Sequence, residues 1–144
     1  MQPYDWNLDE SAWAPKPEPW TEEEIYVISD RAWMLYRQGA YQQAAVLARG
    51  LAAIDPANGY ARKTLALSLT GLGLDQEAWE CWCGLAESDP FDLDAVAGRC
   101  EAAIQLGRFE EAARDLARLQ ADAPWRSSGL RFRLETATSP KPSR

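Results

Sequence analysis

The cysteines and carboxylates are the side chains of this sequence that could bind a metal or act in catalysis. Cys81 and Cys83 are two residues apart in a predicted helix, so their side chains point to different faces, and Cys100 follows in a later segment. Zinc needs four ligands at suitable spacing, and the 144 residues include no histidine to complete such a set. We therefore interpret the cysteines as buried or half-buried free thiols of a cytosolic protein, and we predict neither a metal site nor a cofactor.

Catalysis by a general acid and base also lacks its usual residues. Histidine, the commonest general base near neutral pH, does not occur in the sequence. The carboxylates of residues 22–24 and of Glu110 and Glu111 are adjacent in the chain, which is more typical of a solvated helix face than of an acid–base pair. No nucleophile, base and orienting group come together. We predict that the protein is not an enzyme and that it works by binding.

Three residue types recur at a spacing of 34, which is the period of the tetratricopeptide repeat, an antiparallel helix pair. They are Gly39, Gly73 and Gly107, then Ala44, Ala78 and Ala112, and then Pro56, Pro90 and Pro124. Each glycine suits the end of a first helix, because glycine adopts the left-handed conformation without steric penalty. Each alanine is small where two helices approach closely, and each proline ends a second helix. The sequence therefore predicts helix pairs at residues 25–58, 59–92 and 93–126.

The predicted fold is all-α, with three tandem tetratricopeptide helix pairs that form a short right-handed superhelix and a C-terminal capping helix. A single pair cannot bury its apolar face alone, so the repeats must stack and must be capped. We expect the domain to span residues 21–136 and to open with a capping box between Thr21 and Glu24. The capping helix is predicted at residues 127–136, with Ser127 or Ser128 as its N-cap. Residues 137–144 are predicted to form a disordered basic tail.

The first helix of each pair lines the concave side in tetratricopeptide folds, so its non-packing face predicts a peptide-binding groove. Tyrosine and tryptophan offer large rigid contact areas with a polar group, as binding hot spots do. The expected groove residues are Tyr26, Ser29, Trp33, Tyr36, Arg37, Tyr60, Lys63, Leu67, Thr70 and Glu101. Together they favour an extended apolar peptide as ligand. The alternative for any one aromatic residue is packing between the first helix and the N-terminal arm.

Residues 35–56, with the sequence LYRQGAYQQAAVLARGLAAIDP, resemble the first repeat of the class II type III secretion chaperones. The matching positions are Leu35, Tyr36, Gly39, Tyr41, Ala44, Leu51, Asp55 and Pro56. Residues 66–90 resemble the central repeat of that family. The resemblance implies a bacterial cytoplasmic chaperone whose groove holds a short extended segment of a hydrophobic translocator and keeps that client soluble before export. The groove residues that it implies are Tyr26, Trp33, Tyr36, Tyr60, Lys63 and Leu67.

Two other functions stay open at the level of the sequence. A co-chaperone for a needle or filament subunit would bind an amphipathic helix in place of an extended peptide. A generic tetratricopeptide scaffold would use the same groove to join two folded proteins. Fold alone does not distinguish these functions.

Residues 1–20 form an acidic arm that is rich in proline and tryptophan and that we predict to be mobile. Its four prolines exclude a long helix. Trp6, Trp13 and Trp20 recur every seven residues, which we interpret as coincidence in an aromatic-rich tail. The alternatives are that the arm folds back into the groove or that it packs across a homodimer.

Charge and hydropathy exclude several kinds of partner. The net charge is −7, and the repeat body is itself acidic, whereas a nucleic-acid-binding surface needs a basic face. The longest apolar run is too short to cross a bilayer, so we expect no membrane insertion. The N-terminus lacks the basic and then apolar segments of a secretory signal. We therefore expect a cytoplasmic protein.

Overall fold

The computed structural model describes residues 19–140, and every regular element in that range is an α-helix. The chain divides into two compact units after Gly73. The first unit contains α1 (Glu22–Arg37), α2 (Tyr41–Ile54) and α3 (Gly59–Gly71). The second unit contains α4 (Asp75–Ser88), α5 (Leu93–Gln105), α6 (Phe109–Asp122) and α7 (Pro124–Thr138). The prediction of an all-α fold is confirmed.

A left-handed glycine ends the first helix of each predicted pair. Gly39 has a φ of 81°, and its N–H donates to the carbonyl of Tyr36 at 3.0 Å. The N–H of Ala40 donates to the carbonyl of Leu35 at 2.9 Å, which completes a Schellman motif. Gly73 and Gly107 have φ values of 72° and 76°. The three helix-ending glycines predicted from the 34-residue period are therefore confirmed.

Side-chain caps start the three helices that open the predicted pairs. Thr21 and Glu24 form the expected capping box, because the Thr21 Oγ1 accepts from the Glu24 N–H at 3.1 Å and the Glu24 carboxylate accepts from the Thr21 N–H at 2.9 Å. Asn58 and Asp92, which are 34 residues apart, cap α3 and α5 through their side-chain oxygens, which accept from the N–H groups of Ala61 and Ala95 at 3.1 and 3.2 Å. The repeat thus extends to the residues that satisfy the free N–H groups of each helix start.

Each unit has its own apolar core. In the first unit Ala44 is fully buried, and the core around it consists of Ile28, Ala32, Leu35, Ala44, Leu47, Leu51 and Ala61. In the second unit Ala112 is fully buried, and its core consists of Val96, Cys100, Ala103, Ile104, Ala112, Leu116, Leu119, Leu130 and Leu134. The repeated alanines are therefore small because the helices close over them, as predicted.

The start of α7 corrects the predicted cap. Ala123 alone separates α6 from α7, and Pro124 is the first helical residue of α7. A proline suits that position because the N–H group that it lacks would have no partner inside the helix. Ser127 and Ser128 are therefore interior residues, and the prediction that one of them is the N-cap is wrong. The Ser127 hydroxyl donates instead to the carbonyl of Pro124 at 2.8 Å.

The two ends of the described range bear on other sequence predictions. Helix α7 extends to Thr138, so the first two residues of the predicted disordered tail are helical. Trp20 is half-buried and packs against the core of the first unit. Trp6 and Trp13 lie outside the described residues.

No helix between residues 19 and 140 is long and apolar enough to cross a membrane.

We predict that Gly98→Ala destabilises the protein by roughly 1–3 kcal/mol through overpacking. A Cβ at Gly98 would lie 2.3 Å from the Cε2 atom of Trp82, whose ring is almost fully buried. The matched control is Gly129→Ala in α7, where a Cβ meets nothing within 4 Å. Alanine gains about 0.5–1 kcal/mol over glycine in an open helical position, so this control should be more stable than the wild type. Urea unfolding followed by circular dichroism measures both, and equal stabilities would contradict the close approach at Gly98.

Candidate functional site: an aromatic face on the first unit

Four aromatic rings of the first unit contact one another and form what we call the aromatic face: Trp33, Tyr36, Tyr41 and Tyr60. The ring centroids of Trp33 and Tyr36 are 5.2 Å apart, and those of Trp33 and Tyr60 are 6.0 Å apart. The centroids of Tyr36 and Tyr41 are 5.8 Å apart, with tilted planes. Such separations are typical of favourable aromatic pairs. The structure therefore brings together three residues that we expected in the groove and adds Tyr41.

Local helix geometry explains how the aromatic face assembles. Trp33 and Tyr36 are three residues apart on α1, so they are neighbours on one side of that helix. Tyr41 is the first residue of α2, and its ring lies against the backbone of Gly71 at the end of α3. A Cβ at Gly71 would be 2.7 Å from the Tyr41 ring, so the absence of a side chain permits this contact. The sequence signal for it was a second glycine just before the turn glycine Gly73.

A cavity of about 410 Å³ opens beside α1 and the start of α3. Tyr26, Ser29 and Tyr60, all expected groove residues, line it together. The tyrosines are exposed, with 71% of Tyr26 and 48% of Tyr60 accessible to solvent. Ser29 is buried, and its hydroxyl donates to the carbonyl of Ile25 at 2.8 Å. The first unit therefore presents two exposed tyrosines over a cavity rather than a closed surface.

The sequence reasoning missed the acidic lining of this cavity. Glu22, Asp30 and Asp55 all contribute to it, and Asn58 lies beside them. Asp55 and Asn58 belong to the connection between α2 and α3, which groove predictions based on the first helix of each pair do not include. Asp30 is on α1 next to Ser29, so the helical register already indicated a position near the groove.

The phenol of Tyr60 responds to this environment. Its pKa is raised above the usual value, first because the group is partly buried and then because the negative charge of Asp30 disfavours the phenolate. The neutral phenol is therefore the form present at neutral pH, and it offers an O–H donor to a ligand.

The remaining expected groove residues of the first unit differ in their exposure to solvent. Arg37 is exposed at the end of α1. Lys63, Leu67 and Thr70 are half-buried along α3, and the Thr70 hydroxyl donates to the carbonyl of Ala66 at 2.8 Å. Leu67 thus exposes part of its apolar side chain, whereas the Thr70 hydroxyl already has a backbone partner.

Glu101 is the expected groove residue that lies in the second unit, where it has an intramolecular partner. Its carboxylate forms an ion pair with Arg133 of α7. Seven residues earlier on α5, Asp94 forms a second ion pair with Arg126, also on α7. The acidic side of α5 is therefore neutralised by the capping helix.

A second cavity, of about 360 Å³, lies within the second unit and has a structural explanation. Arg99 of α5 and Asp115 of α6 both line it and form a bidentate ion pair. The Arg99 Nε donates to Asp115 Oδ2 at 2.9 Å, and its Nη2 donates to Oδ1 at 2.8 Å. The guanidinium of Arg108 stacks on the ring of Trp79 with its central carbon 4.1 Å from the ring centroid. These contacts join α4, α5 and α6, and they match none of the expected groove positions.

The cysteines are free thiols, as expected. Cys81 and Cys83 are half-buried, and Cys100 is buried, with its Sγ donating to the carbonyl of Ala112 at 3.4 Å. Burial raises the pKa of Cys100 to about 12, so it stays protonated at neutral pH. Among residues 19–140 no group of three or more His, Cys, Asp or Glu side chains is arranged to hold a metal ion.

Comparison with known proteins supports the fold. No family model matches the sequence, and no curated protein matches it. The chain is similar to the solved tetratricopeptide domain of Arabidopsis OM64, with 20% identity over 79% of this chain and 96% of that domain and a TM-score of 0.72. It is also similar to PcrH from Pseudomonas aeruginosa, with 19% identity over 83% of this chain and 96% of PcrH and a TM-score of 0.71.

A further similar structure is PcrH in complex with the chaperone binding region of PopB. The identity is 19% over 82% of this chain and 97% of the matched chain, with a TM-score of 0.67. At these identities the likeness shows the fold. The helices of this chain therefore adopt the tetratricopeptide arrangement that the 34-residue period predicted.

We predict that Asp30→Asn lowers the pKa of Tyr60 toward the ordinary tyrosine value while leaving it above that value. The substitution removes a negative charge but leaves the burial that contributes most to the shift. Because the folded pKa is raised, the associated stability is fully present below pH 10 and is lost as the pH rises through the folded pKa. NMR titration of the tyrosine ring carbons, assigned with Tyr60→Phe, measures this pKa. An unchanged Tyr60 pKa in the asparagine variant would show that Asp30 does not act on this phenol.

Proposed function

We propose that the protein is a cytoplasmic type III secretion chaperone that binds an extended segment of a hydrophobic translocator and keeps this client soluble before export. The observation that carries the proposal is the aromatic face, with Tyr60 half-exposed and Tyr26 largely exposed beside it. Aromatic side chains that contact one another and still meet solvent offer apolar area to a partner. The resemblance of residues 35–56 to class II chaperones supports the same assignment.

The likeness to PcrH adds a second line of support. PcrH has been solved with the chaperone binding region of PopB, and its fold matches most of this chain. A tetratricopeptide fold of this size therefore accommodates a bound segment of another protein. We assign the client segment to the first unit, because the exposed tyrosines, the ring contacts and the cavity of about 410 Å³ occur together there.

The mechanism that we propose is binding without chemistry. Membrane-inserting segments of a free translocator would aggregate, and the chaperone lowers their free concentration by holding one segment outside the membrane. An extended segment loses conformational entropy on binding, so its affinity must come from a few anchor side chains. Rings that are already in contact lose little freedom when the client binds, which makes the aromatic face suited to receive such anchors.

We predict that Tyr36→Ala and Tyr60→Ala each weaken client binding by roughly 1–3 kcal/mol, as truncation of a binding hot spot does. Each variant removes a ring that contacts Trp33. The control is Phe132→Ala on α7, which removes an aromatic side chain of similar size that is 70% exposed and lies outside the aromatic face. The three variants should keep wild-type helicity by circular dichroism. Unchanged client affinity in both tyrosine variants would contradict the groove assignment.

Affinity capture from the native cytoplasm, followed by mass spectrometry, supplies the client for these measurements. A client with long apolar segments that is captured by the wild type and by Phe132→Ala, but not by Tyr36→Ala/Tyr60→Ala, supports the proposed function. Capture of a small helical subunit together with a second small partner would instead support a needle or filament co-chaperone. Capture of folded soluble proteins alone would support a scaffold. The likeness to the OM64 domain is compatible with that role as well as with a chaperone.

A further inference from the structure

The cavity of the first unit combines apolar walls with an acidic rim. Ile25 and the rings of Tyr26 and Tyr60 supply apolar lining, and we call the three acidic lining residues, Glu22, Asp30 and Asp55, the rim. Its volume of about 410 Å³ is near the lower end of the roughly 300–1,000 Å³ of small-molecule pockets. A space of this size suits one long side chain of a bound segment.

The rim carboxylates have no basic partner within the described part of the chain. The ion pairs formed by residues 19–140 do not involve Glu22, Asp30 or Asp55, and the described lining of the cavity contains no lysine or arginine. The acidic residues of α5 differ, because Asp94 and Glu101 are paired with arginines of α7. Among the described residues, negative charge is therefore left uncompensated at a cavity that also has exposed aromatic walls.

This combination selects the chemistry of the anchor side chain. The aliphatic part of a lysine or arginine can lie along the apolar walls while its charged end remains at the rim. A cation over a tyrosine ring is attracted by the negative face of the ring. Hydrogen bonds from an ammonium or guanidinium group to a carboxylate are stronger than those between neutral groups. A purely apolar side chain would make none of these polar contacts, and an acidic one would be repelled.

We propose that this cavity binds a lysine or arginine side chain of the client segment, with apolar residues on either side of it contacting the aromatic face. The inference rests on the proposed function, since it names the chemistry of one anchor in the same groove. It also makes the groove selective, because a segment that is only apolar would satisfy the aromatic face and leave the acidic rim without a partner.

The test uses two peptides that differ in charge but closely match in shape. They are Ac-Gly-Leu-Arg-Leu-Gly-NH2 and the same peptide with citrulline, a neutral analogue, in place of arginine. Binding is followed by ¹H–¹⁵N NMR at the amides of Ser29 and Tyr60, which line the cavity. We expect the arginine peptide to bind about tenfold more tightly than the citrulline peptide at low salt, and this difference should shrink as salt screens the charges.

Substitutions in the rim test the same point from the protein side. Asp30→Asn and Asp55→Asn each remove one charge while keeping the side-chain shape, and each should weaken the arginine peptide about fivefold and leave the citrulline peptide unchanged. Glu110→Gln is the matched control, since it makes the same change in net charge at an exposed position in the second unit. It should bind both peptides as the wild type does.

The outcomes separate this inference from the proposed function. Equal binding of the two peptides, or no effect of either rim substitution, would overturn the inference while a translocator could still be captured through the aromatic face. Selective binding of the arginine peptide without capture of any translocator would support the cavity assignment and contradict the proposed function. Lys16 is the one lysine or arginine among residues 1–18, which precede the described range. Tighter binding of the arginine peptide by Lys16→Gln would assign the cavity to this chain's own lysine and overturn its assignment to a partner.

Discussion

The left-handed glycine at the end of each first helix is the constraint on which the rest of the structure depends. At Gly39 it allows two N–H groups to bond back to the last carbonyls of α1, so the chain reverses within three residues. Helix α2 then starts at Tyr41, with its ring close to that of Tyr36. A residue with a Cβ would be strained in this conformation. The turn that organises the core of the first unit therefore also sets the position of part of the aromatic face.

Helix α1 serves both stability and binding, and Tyr36 takes part in both because its side chain also packs against the core of the first unit. The inward side of α1 carries Ala32 and Leu35, which are buried in the core of the first unit. The side with Trp33 and Tyr36 contacts aromatic rings from α2 and α3 and remains partly exposed. Ring contacts between helices hold these side chains in place before any ligand arrives. The surface is therefore both preorganised and accessible, which is the combination that a short extended ligand requires.

Features that recur with the repeat could be predicted from the sequence, and features that depend on single distant contacts could not. Turn glycines, buried alanines and the capping box follow from local backbone requirements that are the same wherever they occur. The cap predicted at Ser127 failed because Pro124 can start a helix directly after α6. Helical register placed Glu101 in the groove but carried no information about its pairing with Arg133. Tyr41 was missed because its contacts depend on where α3 ends.

The two ion pairs between α5 and α7 give the capping helix a significance beyond packing. Two leucines of α7 cover the core of the second unit, so a chain truncated after α6 would expose apolar surface. The same truncation would also remove Arg126 and Arg133 and leave Asp94 and Glu101 without their partners. A shortened chain would thus change in charge pattern as well as in stability. Any expression boundary chosen for this protein therefore determines how many acidic surfaces compete for a basic ligand.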